Sequence, residues 1–224
     1  MLSKVKNMSH RTYKNPPIVE ALCEFTFTPA GEWNPTLPAE LHQLVQEYYD
    51  GEPRQANVQI VTTNSENNSV TIQNDLRVQL PTKDGTRLVN IGMNTLSINV
   101  LKPYDGWTLF RLRIERALPA YYDVAGQKTV TRVGARYINR IVVKYPGANS
   151  ADYFGFILPQ ESGLGAKLTN FTKRSEYVAE DQTKILITHA TIAPSAPDDR
   201  ICTRYRHHIG WTSFGTARGH TGRC

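Results

Sequence analysis

The chain has 224 residues, 40% of them hydrophobic and 21% charged, which suits one folded domain with a full core. Its formal net charge is +6, but the last 25 residues carry +5 and the first 14 carry +4, leaving −3 for the body from 15 to 199. That distribution removes most of the case for a basic, nucleic-acid-coating body, the absence of any run near the roughly 18 apolar residues of a membrane helix argues against a span, and three cysteines without CxxC spacing suit reduced thiols rather than a disulfide framework.

Residues 1–12 are polar and aperiodic, and are expected to be a disordered extension, with Met8 as an alternative start to Met1. Asn15-Pro16-Pro17 is a rigid, extended entry, because each proline fixes its own φ and biases the preceding residue away from helix. Ile18 to Phe27 reads as the first strand. Thr36 is placed to cap a helix with Pro38 in its first turn, and Leu37, Leu41, Leu44 and Tyr48 recur at helical spacing, predicting a helix to about Tyr49 that stops at Asp50-Gly51.

From Val58 to Val100 the apolar period changes to two, predicting an antiparallel meander with turns at Asn67-Asn68, Asp84-Gly85 and Gly92-Met93-Asn94. Residues 104–122 carry Trp107, Phe110, Ile114, Ala117 and Tyr121 as a helical stripe, so a second helix is expected, disturbed at Pro119. Thr129 to Tyr145 is the longest strand candidate and is apolar on both faces, as a central strand would be. A hairpin of Lys167 to Val178 and Lys184 to Ile192, turned at Asp181-Gln182, follows. The expected class is α+β: a mainly antiparallel sheet with two amphipathic helices packed on one face, forming a single domain over 13–192.

From 193 to 224 the composition turns to Arg, Cys, His and Gly without period or acid, and a disordered basic tail is expected. An abrupt switch of this kind also suits a shifted reading frame or a truncation. Cys202, His207, His208, His220 and Cys224 have zinc-ligand chemistry, but their spacing fits no finger, ribbon or knuckle, so no metal and no cofactor is implied.

Three segments, Asn15 to Phe25 (NPPIVEALCEF), Pro103 to Trp107 (PYDGW) and Val133 to Ile141 (VGARYINRI), resemble a sporadically distributed, uncharacterised family of bacterial proteins over about residues 13–192. The resemblance implies a bacterial cytoplasmic protein and brings no catalytic residue or cofactor with it. Members of that family look longer at the C-terminus, ending in a further strand and an amphipathic helix.

No catalytic motif stands out. Ser162 to Lys167 lacks the spacing of a phosphate loop and is followed by Leu168 rather than Ser or Thr. Cys23 has Glu20 and Glu24 nearby but no base, and reads as a buried small hydrophobe. His42 and His189 lack paired zinc-hydrolase spacing. Tyr104, Trp107, Tyr121 and Tyr122 read as core packing around the second helix.

Arg132, Arg136 and Arg140 fall at even spacing on one strand and so share a face at intervals of about 13 Å. They form the candidate binding face, unless they pair with Glu20, Glu24 and Glu115 inside the domain. The leading expectation is a non-enzymatic binding or regulatory module for a protein partner, acting through this face or through the helix surfaces. Two alternatives are nucleic-acid binding through Arg111, Arg113, Arg132, Arg136 and Arg140, and an enzyme that gathers Glu20, Glu24 and Glu115.

Overall fold

The computed structural model describes residues 13–29, 32–64, 69–143, 171–192 and 201–212, with 58–64, 69–74, 143, 192 and 201–212 as backbone only. In chain order the elements are β1 (Ile18–Phe27), α1 (Leu37–Val45), β2 (Arg54–Asn64), β3 (Ser69–Pro81), β4 (Arg87–Gly92), β5 (Thr95–Leu101), α2 (Trp107–Ala125), β6 (Val130–Val143), β7 (Thr172–Val178), β8 (Lys184–Ile192) and β9 (Ile201–Thr212). The strands form one sheet in the order β2-β3-β4-β5-β1-β6-β9-β8-β7, and every neighbouring pair is antiparallel. The α+β expectation is met.

Register explains which residues enter the core. Ala21, Cys23 and Phe25 on β1 stand beside Val100, Ile98 and Leu96 on β5, and these stand beside Val89 and Ile91 on β4. All are buried, together with Leu37, Leu41 and Val45 of α1 and Phe110, Ala117 and Tyr121 of α2. Both helices therefore cover the same apolar sheet face. The aromatic residues complete this layer: Phe27 stacks on Tyr121 at 5.1 Å between ring centroids, and Phe110 meets Tyr137 edge-on at 6.4 Å.

The hairpin at Asp84-Gly85 forms, with Gly85 at φ +68° and the Asp84 carboxylate accepting from the Thr82 hydroxyl and the Thr86 N–H. The turn at Asn67-Asn68 and the loop at Ser162 to Lys167 lie outside the described residues, as do residues 1–12.

Three expectations need correction. The buried line of α1 is Leu37, Leu41 and Val45, continued by Tyr49, while Leu44 and Tyr48 face outward. Thr36 makes no side-chain cap; its hydroxyl donates to Glu40 at 2.6 Å, and Asn34 Oδ1 accepts from the Thr36 N–H at 3.0 Å. Pro119 lies inside α2, which runs on to Ala125 without a break.

The segment set apart by composition also differs from its expectation. Ile201–Thr212 is β9, inserted between β6 and β8. Ile201, Tyr205, Ile209 and Trp211 share one parity and Arg204, Arg206 and His208 the other, a period of two that Thr203 and His207 obscure. Residues 193–200 and 213–224 lie outside the described residues.

Candidate functional site

The face of the sheet opposite the helices is polar, and Arg132 and Arg136 sit on it in register with Thr26 and Leu22 of β1. Arg132 Nη1 lies 3.3 Å from Glu24 Oε1, and Arg136 Nη2 lies 3.7 Å from Glu20 Oε1. Arg140, two further alternations along β6, shares the parity of these positions, and its N–H donates to Pro17 O at 2.8 Å.

Glu24 has a second cation. Arg77 on β3 donates to Glu24 Oε2 at 2.8 Å and to Asp75 Oδ2 at 2.7 Å, with its side chain only 6% exposed. Gly134 on β6, opposite Glu24, makes room for this arrangement: a Cβ there would stand 3.1 Å from Arg132 Nη2. Nearby, Asn99 donates to Glu20 at 2.7 Å and Asn90 donates to Asn99 at 2.8 Å, linking β4, β5, β1 and β6 in one buried polar layer.

This layer accounts for the arginine row. Two of its three members are paired with the carboxylates named as their internal alternatives, Glu20 and Glu24. Glu115 is not part of it: it is on α2, across the sheet, where it accepts from Arg111 Nε at 2.7 Å. The structure therefore does not bring Glu20, Glu24 and Glu115 together. Arg113 is likewise committed, reaching both carboxylate oxygens of Asp105, through Nη1 at 2.8 Å.

Cys23 is in the core, where burial, reinforced by the Glu24 charge, pushes its thiol up to about 12, far from nucleophile chemistry. His42 is a structural group, its Nε2 3.1 Å from the Tyr49 carbonyl oxygen. Of the five residues with zinc-ligand chemistry, Cys202, His207 and His208 lie in β9, and six residues of strand, about 20 Å, separate Cys202 from His208. No group of three potential ligands occurs among the described residues.

Sequence reasoning missed a second location, the outer junction of α1 and α2. Tyr48 and Tyr49 follow α1 in a tight turn in which both N–H groups donate to the Val45 carbonyl at 2.9 Å. The turn is fixed on β3, because Gly51 N–H donates to Pro81 O at 2.9 Å. Here Val45, Tyr48, Tyr49, Arg87, Arg113, Arg116 and Ala117 line a cavity of about 220 Å³. Arg116 lies over the Tyr48 ring, 4.3 Å from its centroid. Leu44 (52%) on α1, Tyr48 (43%) just after it, and Leu109 (44%) and Leu112 (40%) on α2 are exposed. Only an unexpectedly outward Leu44 and Tyr48 could have signalled it, and the helical period alone assigned both to the core.

No family model matches this chain, and no curated protein does either. Among the described residues no helix is long and apolar enough to cross a membrane.

Proposed function

We propose that this protein is a non-enzymatic binding module that takes an acidic, amphipathic segment of a protein partner on the outward face of α1 and α2. The observation that carries the reading is the coincidence of four half-exposed apolar side chains, Leu44, Tyr48, Leu109 and Leu112, with the cationic lip formed by Arg116. Apolar anchors beside an arginine are the composition that protein interfaces favour. Charge complementarity then requires an acidic partner, since Arg116 has no carboxylate partner among the described residues while Arg111 and Arg113 each have one. The family resemblance adds a bacterial, cytoplasmic setting to the proposal.

Nucleic-acid binding is the weaker reading. Four of the five arginines it would use, Arg111, Arg113, Arg132 and Arg136, already stand against carboxylates, so phosphate contacts would have to displace internal pairs. An enzyme built on Glu20, Glu24 and Glu115 lacks the convergence its chemistry needs.

The test is affinity purification from the native cells with nuclease treatment, comparing the parent with the helix-face variant Leu44→Asp/Leu112→Asp and the sheet-face variant Arg132→Ala. The proposal expects a stoichiometric protein retained by the parent and by Arg132→Ala, and lost with the double variant. Retention by all three proteins, or loss only with Arg132→Ala, would refute it.

A further inference from the structure

The cavity at the α1–α2 junction has an unusual polar inventory. Arg87, Arg113 and Arg116 supply guanidinium donors, and Tyr49 supplies a phenol O–H. Tyr49 is 3% exposed, and its hydroxyl finds no hydrogen-bond partner among the described residues. A buried hydroxyl left unpaired is costly, and a fold that keeps one beside a cavity is accounted for when a ligand completes it. Burial pushes the phenol up to about 12, against the opposing pull of Arg113, Arg87 and Arg116, so it remains a neutral donor in the physiological range.

Among the described residues, Asp105 engages Arg113 at both oxygens and stands 3.6 Å from Arg87 Nη2, and the Asp84 carboxylate also acts on Arg87, so both of these cations are met by acids. Arg116, held by its ring contact with Tyr48, keeps its N–H groups without an ion pair among the described residues. The lining therefore presents the unpaired Arg116 cation and a surplus of donors over acceptors, the Tyr48 and Tyr49 hydroxyls supplying its side-chain oxygens, which favours an anion with several acceptor oxygens.

Resting on the helix-face reading above, we infer that this cavity is an oxyanion pocket that receives the phosphate or carboxylate of a partner side chain, bound by Arg116, Arg87 and the Tyr49 hydroxyl. The position suits that role, because the exposed Tyr48 lines the pocket and Leu44 and Leu112 are exposed within one helical turn of the lining residues Tyr48 and Arg116 in sequence, so that a side-chain anion can seat while its flanking residues cover them. Its volume is below that of a typical small-molecule site and adequate for one such group with its linking atoms.

The experiment titrates the full chain with inorganic phosphate and, separately, with acetate at constant ionic strength, following heat and thermal midpoint. Saturable binding of either anion is expected, weakened at least about tenfold in Arg116→Ala and similarly in Tyr49→Phe, because each variant removes a hydrogen bond to a charged group. Whichever of the two binds identifies the phosphate or the carboxylate source. Tyr49→Phe adds a readout a merely structural role would not move: without anion its midpoint is unchanged or higher than the parent's, since only an unpaired hydroxyl is lost, and its response to the anion needs about tenfold more anion. Absence of saturable binding by both anions, or equal binding by the parent and both variants, overturns the pocket. Binding that obeys these variants in a protein whose partner is indifferent to Leu44→Asp/Leu112→Asp would leave the pocket standing and remove the docking face.

Discussion

At the scale of single residues, burial separates cations that hold the fold from those available to a partner. Arg77 is enclosed and doubly paired, so Arg77→Ala removes the partner of Asp75 and the nearer cation of Glu24 and is expected to cost about 3 kcal/mol. Arg132, whose side chain is 41% exposed, shares Glu24 at longer range, and Arg132→Ala should cost less than about 1 kcal/mol. Urea denaturation of the two variants checks the order, and equal losses would contradict a buried layer centred on Arg77.

The core thiol gives a pH test. Cys23 ionises near 9 in the unfolded chain and near 12 in the fold, so the folded state holds the proton longer and stability falls as pH rises through that window. Cys23→Ala lacks this dependence. Its deficit relative to the parent should therefore shrink above pH 9 by about 1.4 kcal/mol per pH unit. Denaturation midpoints measured at pH 8 and pH 10.5 would show it, and a constant deficit would mean that the thiol ionises equally well in both states.

At the scale of elements, what could be read from the sequence depended on how sharply a residue pattern excluded its neighbours in phase. β1 and β8 were placed at their observed bounds, because breakers fix their starts: the double proline before Ile18 and the Asp181-Gln182 turn before Lys184. The bounds of α2 shifted by only a few residues because its stripe spans many turns. In α1, by contrast, Leu41, Leu44, Val45, Tyr48 and Tyr49 offer two apolar lines one residue apart, and only packing against β3 and α2 selects between them. The end of α1 is the most constrained junction. A Cβ on Gly51 would come within 2.9 Å of the carbonyl oxygens of Pro81 and Thr82, so Gly51→Ala is expected to destabilise by about 1–3 kcal/mol, seen as a lowered thermal midpoint. An unchanged midpoint would mean that this backbone approach is looser than described.

At the scale of the whole molecule, the sheet divides labour between its faces: the apolar one is covered by both helices, and the polar one is an internally paired layer. The arginine row was visible in the sequence as a period of two, and so were the acids that could neutralise it. The pairing itself was not, because Glu24 meets Arg77 and Arg132 only through strands distant in sequence, Arg132 passing close over Gly134. The α1–α2 junction was illegible for the same reason, since Tyr49, Arg87 and Arg116 come from three elements with no common motif. β9 was hidden by composition, and its place between β6 and β8 makes it the strand that ties the β7–β8 hairpin to the rest of the sheet.

Partner binding on the helical side is tested most directly by hydrogen exchange of the full chain with and without the partner recovered by affinity purification. Protection confined to residues 37–51 and 107–120, with β6 unchanged, is the predicted result. Protection centred on Arg132 to Arg140 of β6, with the helices unaffected, would contradict the account and return the binding site to the arginine face of the sheet.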